Sequence, residues 1–407
     1  MERVEGRILL QINSCVTKST GRIVQQIGDV FVEAGGKSYI AYSAREQSCE
    51  CKSILIRIGT RFSIFAHALE SLLFDRHGLG SRLATYYLIR KIKKISPDII
   101  HLHNIHGYFV NYKMLFSFLS KYGKPVIWTM HDCWSITGHC AHFDNIGCSK
   151  WKSGCNSCSI IKSYPKSLLL DNSYNNYNNK RRCFNLVDNL TVVCVSHWLS
   201  GILSQSFLKN YPNVIINNGI DLNVFRYYSS GLRDKLNIRE DKFFILGVGT
   251  NWSNDKGLKE FRELSKNKQY KIVLVGINDD IKKDLPDSII TIKRTNNQKE
   301  LALYYSAADV LLNPTYNDSF PTINIESIAC GTPVITYQTG GSPEIIDEKT
   351  GIVVPKGNYD ELLKAISIVR SKGKEFYSPY CRERAETLFN KEDRFHDYLK
   401  LYQRVMK

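Results

Sequence analysis

The sequence predicts an α/β protein made of two doubly wound, Rossmann-like parallel-sheet domains. Short apolar runs alternate with helical periodicities along most of the chain, the pattern of strand–helix units that wind into parallel sheets. The alternation pauses at Asn217-Asn218-Gly219-Ile220-Asp221, turn chemistry suited to a domain boundary, and then begins again. The 407 residues are enough for two or three domains at roughly 100–200 residues each.

In the first half, residues 8–12 read as a buried strand and 22–33 as a helix stopped by Gly35-Gly36. Residues 39–42 are a second strand, 43–58 show no clear period, and 62–75 and 82–95 have helical spacing. A strand at 98–103, a helix at 112–121 closed by Gly123, and a strand at 125–130 follow, the last delivering His131-Asp132 at its carboxyl end. Residues 132–172 break the rhythm. This insertion, about 40 residues long, exceeds what a compact domain carries without a purpose. It is rich in Cys, Gly, Ser and Asn and reads as poor in apolar anchors. Regularity returns with a helix at 173–187, a strand at 190–195, a helix at 197–208 and a strand at 214–216.

The second half repeats the scheme. Strands are expected at 243–248, 271–275, 289–292, 310–313 and 334–336, and helices at 257–266, 298–307, 321–329 and 358–371. The C-terminal segment also has a helical period, with Leu399, Tyr402 and Val405 on one face. Two such units should leave a central cleft between the carboxyl edges of their sheets, where ligands of this fold class bind.

Composition excludes disorder and low-complexity readings, with 43% hydrophobic and 23% charged residues. The longest apolar run near the start, Ile8-Leu9-Leu10, is too short for a signal-peptide core, and no run long enough for a membrane span occurs. A cytoplasmic protein with mostly reduced cysteines is therefore expected. The formal charge of +16 admits nucleic acid, an anionic membrane surface or phosphorylated substrates as partners. No nucleic-acid-binding motif stands out. Arg90, Lys91, Lys93 and Lys94 close the 82–95 helix, interleaved with Tyr86, Tyr87, Ile89 and Ile92. They read as a solvated face or as a membrane-surface helix.

The densest chemistry lies in Asn317–Ile335, NDSFPTINIESIACGTPVI. Pro321 suits the first position of a helix, and Asp318 and Ser319 just before it are capping types. The free N–H groups of that first turn form an anion site. Glu326 lies one turn deeper, where a carboxylate suits the paired hydroxyls of a ribose. An ordinary capped helix with a solvent-facing Glu is the competing reading.

This stretch resembles the signature of family 4 of the retaining, GT-B-fold glycosyltransferases, in which two acidic residues eight positions apart precede Ala-Cys-Gly-x-Pro-Val-Ile. Asp318 stands at the first acidic position, where the family has Glu, and Glu326 at the second. Thr339-Gly340-Gly341-Ser342-Pro343-Glu344 resembles the family's Gly-rich turn, and Asn217–Asp221 its interdomain Asn-Gly-Val-Asp. Ser19-Thr20-Gly21-Arg22-Ile23, the segment from His101 to Gly107 and HDCWSITGHC are similar to colanic-acid-type exopolysaccharide transferases.

The resemblance implies a role for each matching residue. Glu326 would hold the donor ribose, Asp318 the donor sugar, the turn Ser319-Phe320-Pro321-Thr322, through the amides of Phe320 and Thr322, the phosphate and sugar, and Lys256 the diphosphate. The Arg that often precedes that Lys is absent, Thr250 standing there, so Arg22 and Arg294 are the compensating bases considered. Gly21 would let the backbone approach a phosphate, and His131 would contact the sugar near its reacting carbon. His103 and His106 are acceptor-side candidates, against the alternative of satisfied structural histidines, which applies to His101 as well.

The function implied is transfer of a hexose-type sugar, with retention, from a nucleotide-sugar to a lipid-linked oligosaccharide in surface polysaccharide assembly, peripheral to the cytoplasmic face of the inner membrane. No carboxylate pair at hydrolase spacing can be assigned, and no metal is expected at the reaction centre. The rivals are an epimerase or phosphorylase on the same fold, and a non-catalytic nucleotide-sugar or polyanion binder. The domains on this reading are 1–220, acceptor-side; 221–385, donor-binding; and 386–407, a helix returning towards the first.

Cys140, Cys148, Cys155 and Cys158 sit in the insertion, the last two with zinc-knuckle spacing, and His139 and His142 lie nearby. A structural zinc is the leading expectation. Packed thiols come next, then disulfides or an iron–sulfur group.

Overall fold

The computed structural model describes residues 4–17, 19–250 and 252–407. These divide into two compact units, one running to Asn217 and including Arg394–Lys407, the other spanning Asn218–Asp393.

The first unit contains strands β1 (Ile8–Asn13), β2 (Lys37–Ser43), β3 (Ile54–Ile58), β4 (Ile99–Leu102), β5 (Val126–Met130), β6 (Leu190–Cys194) and β7 (Asn213–Ile215). All pair in parallel, in the order β3-β2-β1-β4-β5-β6-β7. Its helices are α1 (Ser19–Glu33), α2 (Arg61–Phe74), α3 (Arg82–Ile95), α4 (Tyr112–Tyr122), α5 (Ser173–Phe184) and α6 (His197–Leu203). Strands β4, β5 and β6 are buried along their whole length, as expected of parallel strands covered on both faces, and this is why they read as continuous apolar runs.

The second unit contains β8 (Phe243–Val248), β9 (Tyr270–Val275), β10 (Ile290–Ile292), β11 (Val310–Asn313), β12 (Val334–Tyr337) and β13 (Gly351–Val354), in the order β10-β9-β8-β11-β12-β13. Its helices are α7 (Leu232–Lys235), α8 (Leu258–Leu264), α9 (Asp279–Lys282), α10 (Gln298–Ala307), α11 (Thr322–Ala329), α12 (Ser342–Ile345), α13 (Tyr359–Lys372) and α14 (Lys374–Phe389). The last helix, α15 (Lys391–Val405), belongs to the first unit from Arg394 onward. There Phe395, Tyr398, Leu399 and Tyr402 pack with Ile23, Ile27 and Phe31 of α1 and with Leu9, Ile99, Ile127 and Val193 of the sheet. The Tyr402 hydroxyl reaches His101 Nδ1 at 2.7 Å and the Tyr398 hydroxyl reaches Thr129 at 3.1 Å.

Two strands escape the sequence reading, β3 and β13. Both are short edge strands of mixed burial, so neither produces an apolar run or a sustained alternation. The insertion also differs from expectation. Far from lacking apolar anchors, it buries Trp134, Ile136, Phe143 and Trp151, with Phe143 and Trp151 stacked at 5.2 Å. Three short 3-10 turns, Trp134–Ile136, Asp144–Ile146 and Lys150–Lys152, organise it. Beneath it the buried Lys180 of α5 donates to the Trp134 and Thr137 carbonyls at 2.6 and 3.0 Å, with its ammonium 3.6 Å from the Trp134 ring centre. Among the described residues no helix is long and apolar enough to cross a membrane.

Candidate active site

Strand order reverses once in each sheet, between β1 and β4 in the first unit and between β8 and β11 in the second. Loops leaving the carboxyl ends of such neighbouring strands diverge and open a crevice. Most of the residues singled out from sequence lie at or beside these two places; Arg294 and the cysteines of the insertion do not.

In the first unit, Gly21 lies in the first turn of α1, where a Cβ would collide with the Val16 carbonyl; the position is closed to any side chain. Arg22 is exposed beside it. From the end of β4, the buried His103 joins His131 from the end of β5, Nδ1 to Nε2 at 3.1 Å, with the rings stacked 5.4 Å apart. The Gln11 amide nitrogen donates to the Val24 carbonyl, so its oxygen faces His103 Nε2 at 3.2 Å. That arrangement fixes the tautomers: His103 donates through Nε2 and accepts through Nδ1, and His131 donates through Nε2, leaving its Nδ1 an acceptor. Burial holds His131 down at about 4 and His103 well below the usual imidazole range, so both rings stay neutral.

His106 Nε2 meets Asp132 Oδ2 at 2.7 Å, and its Nδ1 meets the Tyr164 hydroxyl at 3.0 Å. Burial alone would raise the Asp132 carboxyl, but the His106 imidazole and the Trp134 amide hold it well below the carboxylate range. Together His103, His106, His131, Asp132 and Trp134 line a tight hollow of about 10 Å³. His101 is fully buried between Tyr402 and Thr129 and serves the core.

In the second unit, Lys256 ends the 3-10 turn Asn254–Lys256 that follows β8. Its ammonium touches Asp318 Oδ2 at 3.1 Å, Thr315 Oγ1 at 3.2 Å and the Asn317 carbonyl at 3.2 Å. Asp318 and Ser319 do not cap α11 as their types suggested, and Pro321 is not its first helical residue. Pro321 takes the N-cap position in extended geometry, and its ring offers no acceptor for a side-chain cap; Asp318 is engaged elsewhere, one oxygen by Lys256 and the other by the Phe320 amide at 3.3 Å. The first-turn N–H groups of α11 are thus left without a side-chain acceptor.

Around this helix start, the Ser319, Thr339 and Ser342 hydroxyls and the Asn324 amide nitrogen are buried without a hydrogen-bond partner. Gly340, at φ +52, presses on the Asp318 carbonyl so closely that a Cβ would collide with it. Glu326 is 7% exposed and accepts from the Tyr305 hydroxyl at 2.9 Å. Phe320 and Thr322 flank Pro321 at the same turn, and Arg294 is exposed beyond the edge strand β10, two strands from β8. The buried Glu260 of α8 accepts from Tyr316 at 2.7 Å and Tyr337 at 3.2 Å, which ties the Asp318 loop to the helix behind Lys256. Sequence reasoning missed Tyr305, Asn324, Thr339, Ser342 and Glu260. The hydroxyl residues of the Gly-rich turn were the one available signal; a buried Glu on a short helix gives none.

The five cysteines of the insertion, Cys133 with Cys140, Cys148, Cys155 and Cys158, are free thiols. Cys140 and Cys158 hydrogen-bond each other, a contact that pushes Cys140 well up and draws Cys158 down to about 6. Among the described residues no three His, Cys, Asp or Glu side chains form a group that could hold a metal ion.

A doubly wound sheet with a cation, an uncapped helix start and buried unpartnered donors at its switch point has the chemistry to receive an anion and hydroxyls. Family models match both units. The model for glycosyltransferase family 4 matches residues 21–224, and that for glycosyl transferases group 1 matches 230–379. The chain belongs to glycosyltransferase family 4, and the protein is a glycosyltransferase of GT-B fold. It is 24% identical over 395 residues to the putative colanic acid biosynthesis glycosyl transferase WcaC of Escherichia coli, covering 91% of this chain and 90% of that one. It is 26% identical over 351 residues to a 41.2 kDa protein of the cps region of Klebsiella pneumoniae, covering 83% and 88%. Among solved structures, sucrose-phosphate synthase from Thermosynechococcus elongatus superposes with a TM-score of 0.74 at 19% identity, over 98% and 99% of the two chains. Anabaena HepE in complex with UDP superposes at 0.67 and 14%, over 98% and 99%.

Proposed function

We propose that this glycosyltransferase moves a sugar from a nucleoside-diphosphate donor, with retention, onto a lipid-linked oligosaccharide in exopolysaccharide assembly, working at the cytoplasmic face of the inner membrane. The relative named for colanic acid biosynthesis supports the pathway class, and the Anabaena neighbour complexed with UDP-glucose supports the donor class. The observation that carries the reading is the set of buried, unpartnered donors around the start of α11, next to Lys256. Such groups cost free energy unless something arrives to accept from them.

On this reading Lys256 and the α11 amides hold the diphosphate. Ser319, Thr339 and Ser342 bond phosphate and sugar oxygens, Asp318 takes a sugar hydroxyl, and Glu326, aimed by Tyr305, takes the ribose. His131, neutral with Nδ1 available, accepts from a sugar hydroxyl. The acceptor O–H attacks the anomeric carbon from the face the diphosphate leaves. The C–O bond to phosphate breaks, and the proton passes to the departing phosphate oxygen. The protein's share is positioning and stabilising the charge that grows on the diphosphate.

Purified protein, a panel of nucleotide-sugars and extracted lipid-linked oligosaccharides test it. Nucleoside diphosphate released only when acceptor is present, with the anomeric configuration preserved, is the expected result. Release independent of acceptor would overturn the transferase reading, and an inverted product would overturn retention.

A further inference from the structure

We infer that α2, the start of α3 and the triple-leucine loop at 168–170 form one surface that docks on an anionic phospholipid bilayer. This rests on the reading of a lipid-linked acceptor and names the face by which the enzyme meets it. Helix α2 is apolar on both sides. Ile64 points into the core, while Phe62, Phe65 and Leu69, at helical spacing, form an outward stripe, with Phe62 80% and Phe65 67% exposed. Phe65, Leu69 and Leu72 line an open hollow of about 230 Å³ with Tyr108 and Lys166. Leu168, Leu169 and Leu170 are all exposed, and their loop is fastened to the end of α2 by Leu168 N–H donating to the Leu72 carbonyl at 2.8 Å. Helix α3 begins with exposed Leu83, Tyr86 and Tyr87. Its start is pinned to α2 through His67 Nδ1 and Ser81 Oγ at 2.8 Å. Two Phe, five Leu and two Tyr facing water over one region are more than a solvated face explains.

Charge selects the occupant. Residues 57–94 hold eight Lys and Arg against two acids, Glu70 and Asp75. Both acids are already engaged, Glu70 with Arg76 at 3.2 Å and the buried Asp75 with His139 at 2.6 Å. The net field is positive beside the apolar stripe. Aromatic and leucine side chains can enter the headgroup boundary while Arg61, Lys166 and the basic end of α3 lie along the phosphates, their aliphatic stems covered.

The test is co-sedimentation of the full chain with vesicles of phosphatidylglycerol and phosphatidylcholine, and with phosphatidylcholine alone. Wild type should bind the anionic vesicles, less as salt rises from about 0.1 to about 0.5 M. Phe62→Ser with Phe65→Ser should lower partition at least about tenfold, as hydrophobic burial of two rings requires. Arg90→Gln with Lys94→Gln should lower binding and flatten its salt dependence. Both pairs are exposed, and unchanged thermal melting checks the fold. No wild-type binding, or equal binding by the Phe variants, overturns the inference. So does a wild-type dimer by light scattering that Phe65→Ser makes monomeric, since a second copy would then cover the stripe. UDP affinity, measured by calorimetry on the same samples, stands apart. Its absence would count against the donor reading and leave the vesicle result intact.

Discussion

Lys256 grips Asp318 by one carboxylate oxygen, Nζ to Oδ2 at 3.1 Å, while the other oxygen takes the Phe320 amide. The carboxylate that meets this cation therefore also shapes the turn into α11. A diphosphate reaching Lys256 would compete with Asp318 for it, so the two charges form an exchangeable pair. Lys256→Ala should lower kcat by roughly tenfold to a few hundredfold, the worth of one charge-assisted hydrogen bond, with a smaller change in KM, because charge grows on the diphosphate in the transition state. Steady-state kinetics with a fixed acceptor checks it. A change confined to KM would make Lys256 a uniform binder.

Glu326 and Tyr305 act as a unit, one carboxylate aimed by one buried hydroxyl. Glu326→Ala should weaken nucleotide binding at least about tenfold, and Tyr305→Phe by roughly threefold to tenfold, the usual loss of one neutral or charged hydrogen bond. Titration calorimetry with the nucleoside diphosphate measures both. The double variant should fall short of the product of the two if the hydroxyl works only through the carboxylate.

Acid should unfold the first unit through its histidines. His67 and His131 are held at about 4, and His77, His101 and His103 well below their usual range, each chiefly by burial. In the unfolded chain they titrate near 6.5, so between about 4 and 6.5 the unfolded state binds more protons. Stability is present above that window and is lost as pH falls through it. Replacing the core histidine, His101→Gln, should make the slope of stability against pH shallower by up to about 1.4 kcal/mol per unit. Urea melts at several pH values supply the readout.

Lys180 is a buried cation whose ammonium satisfies two carbonyls of the insertion, and burial lowers it to about 7. Lys180→Met keeps the stem but strands both carbonyls, and should cost roughly 2–4 kcal/mol. The wild-type lysine is favoured as pH rises from about 7 towards 10.5, where the unfolded chain still holds the proton and the folded one does not. The deficit of the variant should therefore widen over that range in denaturant melts.

Cys158 should be the most reactive of the thiols Cys140, Cys155 and Cys158. Cys140 donates to it and draws it to about 6, while Cys155 is pushed up to about 11 by burial. After treatment with a chelator, iodoacetamide at neutral pH should label Cys158 before Cys140 or Cys155, read by peptide mass. Elemental analysis of the same preparation before chelation, purified without a metal-affinity step, tests the zinc expected from the cysteine spacing.

Much of this architecture was legible because parallel strands are buried on both faces and write themselves as apolar runs; β8, β11 and α10 fall where the periodicity put them. What escaped did so for physical reasons. The edge strands β3 and β13 are too short and too mixed in burial to leave a period. The insertion hid its core because its anchors, Trp134, Phe143 and Trp151, are scattered among polar residues rather than periodic. Lys180 lies in the polar stretch SYNNYNNKRR, where nothing local distinguishes a buried cation from a solvated one. At the site, the Asp318 and Ser319 capping pattern misled, since the side chain that should cap α11 is held by Lys256, a residue 62 positions away. Long-range competition of that kind has no local signature.

Because Phe395, Tyr398, Leu399 and Tyr402 complete the core of the first unit, that unit stays unfinished during synthesis until α15 has been made. The second unit, continuous in sequence, can close while synthesis is under way, but the earlier one must wait for the final helix to emerge. A fragment cut after Asn217 should be soluble only when residues 391–407 are grafted to it or supplied separately. Chains stalled before α15 is made should be more susceptible to proteolysis in the first unit than chains that include it.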